Sequence, residues 1–180
     1  MSSGNQASDA RANAAAYVKL VMDLLGDQDP FEVQSEQTGW LAAAVAGIDD
    51  ASLRRPEKSG KWSIMQVVQH LADSELVYGY RMRIVVAHPT PEIQATDQDL
   101  WAVRLKYNEV NLSDALEQHR VLRAGNLRFL RSLSDEDLAC EGLHSERGPE
   151  SVRKILQMVA GHDILHRNQI MRIKRAIGLL

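Results

Sequence analysis

One seam of side chains near the C-terminus constrains the fold more than any other feature. Ile155, Val159, His162, His166, Ile170 and Ile173 follow one another in steps of four, three, four, four and three, which places all six on one face of a helix. Gly148 and Pro149 precede Ser151, and Gly178 lies just past the last apolar position, so the spacing predicts a helix from about Val152 to Ile177. A helix with one apolar face must bury that face against something. No alternating run of apolar and polar residues bounded by turns stands out in the chain, nor does any internal repeat or low-complexity tract. The partners are therefore expected to be other helices.

The rest of the chain supplies them. Tyr17, Leu20, Val21, Leu24 and Leu25 recur at helical spacing up to Gly26, and Asp29 with Pro30 then provides an N-cap and a first-turn proline for a helix from Phe31 to about Ile48. The polar stretch from Asp50 to Lys61, broken by Pro56 and Gly60, reads as a connection. Ser63 and Gln66 form a capping box that opens a helix reaching about Val85, and His88, Pro89, Thr90 and Pro91 end it. A long crossover to Leu112 follows, with Thr96, Asp99 and Trp101 suggesting a short helix inside it; long ordered crossovers often cover a site. Ser113 opens the next helix, whose Leu116, Val121, Leu127 and Leu130 end near Leu133. The expected fold class is all-α, a four-helix bundle with one long crossover, built as a single domain over 13–180. Residues 1–12, small and polar, read as a flexible lead-in.

Composition narrows the function classes. A chain of 180 residues buries an adequate core without disulfides or a structural metal, so a metal site here is expected to be functional. The net charge of -3, with basic residues dispersed, gives no reason to expect nucleic acid as a partner. The one basic cluster, Arg167 to Arg175, suits the negative pole at a helix C-terminus. Cys140 is the only cysteine, which rules out an internal disulfide, and nothing around it would activate the thiol. No apolar segment approaches the roughly 20 residues that span a bilayer. Met1 to Asn13 also lacks a basic stretch followed by an apolar run, so a cytoplasmic protein with no membrane partner is expected.

The two histidines in the seam carry the chemistry. Residues four apart on a helix are neighbours, so His162 and His166 can converge on one ion at about 2.0–2.1 Å from each nitrogen. A lone inward histidine is usually a hydrogen-bonded core residue, but two in one apolar stripe each need polar partners, and a shared metal satisfies both. The run His162-Asp163-Ile164-Leu165-His166 is close to the zinc-protease pattern, except that Asp stands where a Glu would act as base. No His, Asp, Glu or Cys follows His166 either, so a third protein ligand must come from an earlier helix. A His-Asp phosphohydrolase would need further spaced ligands. His70, mid-helix between Val67 and Leu71 and beside Asp73 and Ser74, is the best third ligand. His88 and His119 read as solvated, and His144, in a polar loop before Gly148, as a pocket residue. Asp73 is a candidate acceptor for orienting His70, with a cap or solvent-facing acid as the alternative. Trp62 and Trp101 read as core.

Lys61-Trp62-Ser63-Ile64, then Val67 to Glu75, with Arg81 after it, resembles the second-helix motif of the DinB/YfiT-like superfamily. Gly161-His162-Asp163 to His166, with Gln169 and Ile170, is similar to that family's closing motif, and Leu143-His144 to Gly148 to its loop. The resemblance spans essentially the whole chain. It implies a four-helix bundle, commonly a homodimer, with a three-histidine site for zinc, nickel or a similar ion at His70, His162 and His166. It also implies kinship with thiol S-transferases that use bacillithiol and isomerases that use mycothiol. Three protein ligands with a vacant fourth position is the catalytic arrangement. A small thiol held there as thiolate, supplied from outside the chain, and a metal-activated water are rival chemistries on a small-molecule substrate. A metal-binding stress protein without turnover is the non-enzymatic alternative.

Overall fold

The structure, a computed structural model, describes residues 3–180, with side chains from Asn13 onward. Helix α1 spans Ser3–Leu25, so helical backbone reaches into the stretch read as a lead-in; residues 1–2 and the side chains through residue 12 lie outside the described part. Then follow α2 (Pro30–Val45), α3 (Asp50–Leu53), α4 (Ile64–Ala87), β1 (Glu92–Ile93), α5 (Gln98–Arg104), a 3-10 turn (Tyr107–Glu109), α6 (Leu112–Arg131), α7 (Asp135–Ala139), β2 (Glu141–His144), β3 (Gly148–Ser151) and α8 (Val152–Ala176). Helices α2, α6, α4 and α8 pack neighbour to neighbour in a closed ring, and α1 lies along α8. The bundle is the one expected.

Local signals start the helices where the sequence reading put them. Ser63 and Gln66 form both halves of the capping box on α4, Asp29 accepts from the Phe31 and Glu32 amides, and Ser151 caps α8 through the Lys154 amide. Two caps fall one or two residues away from expectation. Asp97, not Thr96, caps α5, and Asn111, not Ser113, caps α6, because in each case the carboxylate or amide oxygen reaches the first-turn amides.

No strand is expected from the sequence pattern, and the described residues contain three. Strand β1 pairs parallel with β2 (Glu92 with Leu143, Ile93 with His144), and β2 pairs antiparallel with β3 (Leu143 with Pro149). At two to four residues these strands are too short for alternation to show above noise. Their role is to tie the crossover after α4 to the hairpin before α8. Gly142 permits this, since a Cβ there would lie 2.8 Å from Ile93 and Val85 side-chain atoms.

Helix α8 approaches α1 closely at Gly161, where a Cβ would stand 2.0 Å from the Val21 carbonyl oxygen. Backbone cannot rotate away as a side-chain tip can. Gly161→Ala is expected to push α1 off α8 and to lower unfolding free energy by about 1–3 kcal/mol, read by chemical denaturation.

The apolar core falls into two main parts. One gathers Leu41, Val45, Ile64, Leu71, Ile170 and Ile173 near the start of α4 and the end of α8; the other gathers Met82, Val85, Ile93, Leu130, Ile155 and Val159 at the opposite end of both helices. Between them on α4 lie His70, Ser74 and Glu75, and on α8 His162, Asp163 and His166, all buried. A polar layer thus crosses the bundle midway.

His119 belongs to this interior rather than to solvent, which corrects the sequence reading. It is fully buried, its Nδ1 is 3.2 Å from Thr38 Oγ1, and its Nε2 has no partner. Burial, reinforced by Arg123, lowers its pKa to about 4. The unfolded chain therefore takes up a proton near pH 6.5 that the folded chain refuses until about 4. Stability from this residue is complete above pH 6.5 and is lost at about 1.4 kcal/mol per pH unit as pH falls toward 4. His119→Leu is expected to flatten that part of a thermal-unfolding series run from pH 7.5 to 4.5.

Candidate metal centre

Helices α4 and α8 bring three imidazoles to one point. His70 Nε2 lies 3.0 Å from His162 Nε2, and one nitrogen from each of His70, His162 and His166 falls within 4.8 Å of the others. All three rings are buried. Two nitrogens each about 2.1 Å from a common ion stand roughly 3.0–3.4 Å apart at octahedral or tetrahedral angles, so the His70–His162 spacing suits shared coordination, with the His166 nitrogen within 4.8 Å of both. The same distance suits a His–His hydrogen bond, which accounts for two of the rings but not the third.

The protonation states fit as well. Burial pushes the His70 and His162 pKa values well below the usual imidazole range, with His166 adding to the effect, and burial lowers His166 itself to about 4 against the opposing effect of its hydrogen bond to Gln169. All three are neutral near pH 7, the form that donates a lone pair. His166 Nδ1 donates to Gln169 Oε1 at 2.7 Å, which fixes the tautomer and frees Nε2 for the shared point. Trp62, read from sequence as core, sets its ring edge against His70 at 5.0 Å between centroids.

Asp73 stands apart from the role considered for it. Its carboxylate accepts from Gln69, Gln118 and the Tyr107 hydroxyl, and the group near His70 Nε2 is instead Ser74 Oγ at 3.5 Å. Two of these donors, Gln118 and Tyr107, tie α4 to α6 and to the crossover. Asp163, adjacent to His162, turns the other way: Arg123 donates to both its oxygens at 2.6 and 3.0 Å, to Glu75 at 2.8 Å and to the Gln34 carbonyl at 3.0 Å. Burial raises the Asp163 carboxyl pKa while Arg123 opposes it. Asp163 is thus a structural ion-pair partner in this fold, which removes the protease-like base.

A cavity of about 580 Å³ opens at the histidines. His70, His162, Ser74, Tyr78, Arg81 and Trp101 are on its wall, so Trp101 borders solvent space rather than core. His144 is buried on β2 and lines a neighbouring groove of about 820 Å³ between α1 and the hairpin, not the histidine cavity. Its Nδ1 accepts from the Glu146 and Arg147 amides. His88, at the end of α4, is exposed. Cys140 is half-buried over the Glu136 carbonyl, away from both spaces.

Residues 36–170 match the DinB superfamily. The chain belongs to that family. DinB relatives include YfiT of Bacillus subtilis, 26% identical over 148 residues that cover 82% of this chain and 83% of that one. A protein of Oceanobacillus iheyensis is 29% identical over 126 residues, 70% of this chain and 73% of its own. Both carry the words metal-dependent hydrolase in their names. The solved structure of YfiT, described as a probable metal-dependent hydrolase with an unusual four-helix bundle topology, superposes with a TM-score of 0.78 at 25% identity over 83% of this chain and 86% of that chain. A mycothiol-dependent maleylpyruvate isomerase shares the fold with a TM-score of 0.64 at 12% identity, over 83% of this chain and 62% of that chain.

Of the side chains at or beside the site, Tyr78 has no part in the sequence reading, although Ser74 and Tyr78 follow His70 at helical intervals of four, a spacing that flags it; Ser74 is read there only as a polar neighbour of His70. Gln169, three residues after His166, was seen only as part of a family motif.

Proposed function

We propose that this DinB protein is a metal-dependent hydrolase of small molecules, with His70, His162 and His166 holding one divalent transition-metal ion such as zinc or nickel. The observation that carries the reading is three buried, neutral imidazoles converging beside a cavity, with no carboxylate among them. A divalent ion in such a three-histidine site acts as a Lewis acid and lowers the pKa of water, which is what hydrolysis near neutral pH needs. The chain's own contribution is placement. Gln169 orients His166, Trp62 packs against His70, and His70 and His162 face the space where substrate would enter. The hydrolase names of relatives in the 25–29% identity range support this reading.

A second reading has a specific support in the fold shared with the mycothiol-dependent isomerase. The same open position would hold a small thiol as thiolate. Because Cys140 reaches neither space, that thiol would be a co-substrate.

Elemental analysis of purified protein is expected to give close to one divalent metal per chain, with His166→Ala losing most of it. A metal-free protein that takes up neither zinc nor nickel on titration would end the metal reading. Ester and amide substrates turned over without added thiol favour hydrolysis, whereas strict dependence on a thiol favours transfer. Light scattering tests the homodimer that we propose alongside it.

A further inference from the structure

We propose that Arg81 anchors the carboxylate of a small-molecule substrate whose other end lies at the three histidines. The placement of that other end rests on the metal-site reading above; the anchor itself does not. His70, Ser74, Tyr78 and Arg81 step along α4 by four, four and three, so they share one side of the helix, and all four line the same cavity. Tyr78 links the two ends. Its ring centroid is 5.9 Å from that of His162 and 5.6 Å from Arg81 Cζ, which keeps the guanidinium within the span of a small molecule seated at the histidines.

The reason to assign a ligand is charge. Arg81 is only 5% exposed, yet among the described residues it makes no ion pair. Its hydrogen bond goes to a neutral group, the Gln94 carbonyl, at 2.6 Å. Among the described residues the other buried arginine, Arg123, has Glu75 and Asp163, and the less deeply placed Arg147 holds Glu150 through Nε at 2.6 Å and Nη2 at 2.9 Å. A buried cation with no carboxylate bonded to it is costly and uncommon; burial pulls the Arg81 pKa down, Arg147 adding to this while Tyr78 and the more distant Glu150, whose two oxygens Arg147 already holds, oppose it. The acidic residues on the cavity wall do not serve it. Asp73 is engaged by three donors, Asp97 caps α5, and Asp99 and Glu146 are exposed. One uncompensated guanidinium fork matches the plane and single charge of a carboxylate better than a phosphate dianion.

Calorimetric titration with succinate, its uncharged diamide and inorganic phosphate tests the assignment, on protein as purified and after chelation so that binding to a metal ion cannot imitate binding to Arg81. Succinate is expected to bind about tenfold or more tightly than the diamide in both preparations. Arg81→Gln, which keeps a donor for the Gln94 carbonyl, should erase the preference, and Arg81→Lys should retain part of it. Equal binding of acid and diamide, no succinate binding up to about 50 mM, or a preference that survives in Arg81→Gln overturns the proposal. Tighter binding of phosphate than succinate overturns the carboxylate assignment. A chain that shows the preference but never holds metal would leave Arg81 in its role and end the metal reading alone.

Discussion

Arg123→Met is expected to lower the unfolding free energy by about 3–5 kcal/mol, the largest stability effect of any single substitution considered. Arg123 reaches from α6 to three other helices at once: to Glu75 on α4, Asp163 on α8 and the Gln34 carbonyl on α2. The three charged side chains are each about 3% exposed or less. Methionine keeps much of the volume but leaves two buried carboxylates facing each other without a cation. For a chain of this size such a loss corresponds to a melting temperature roughly 6–20 °C lower. Because the penalty comes from the orphaned acids and not from lost packing, adding Glu75→Gln and Asp163→Asn to Arg123→Met should recover most of it. Thermal and chemical unfolding of the single and triple variants reads both effects. A single variant within about 1 kcal/mol of the parent would mean that the layer is not held by ionised pairs.

His70→Ala should have the largest effect on metal affinity while leaving the fold in place. His70 alone among the three imidazoles comes from α4, so removing it leaves two ligands that share one helix. Loss of a direct ligand is expected to weaken binding by at least about a hundredfold, beyond the 10–100-fold typical of disturbing a ligand's hydrogen-bond partner. The stability cost should be modest, because His70 already borders an open cavity and its removal enlarges that space instead of creating a sealed void. Metal stoichiometry and circular dichroism on one preparation separate the outcomes. Undiminished affinity together with a sharp fall in melting temperature would make His70 a core residue, not a ligand.

Periodicity and caps were enough to predict the bundle. The seam from Ile155 to Ile173, the capping box at Ser63 and Gln66 and the Asp29-Pro30 start are local patterns, and local patterns are what helices are built from. The same seam exposed His162 and His166 as a pair, since residues four apart are neighbours in any helix. His70 needed more. Its place on an inward face was readable, but its meeting with His162 joins residues 92 apart in sequence. Tertiary packing alone decided which way the nearby acids turned. Asp163 follows His162 directly, and a helix turns about 100° per residue, whereas Asp73 lies three residues after His70 on much the same face; yet each acid is claimed by donors from other elements, Gln118 and Tyr107 for Asp73 and Arg123 for Asp163. Burial of His119 among charged neighbours, strands two to four residues long, and a guanidinium left without a carboxylate are likewise invisible in composition or spacing. Each depends on which distant side chains the packed helices bring within reach, and that distance is set by the fold as a whole.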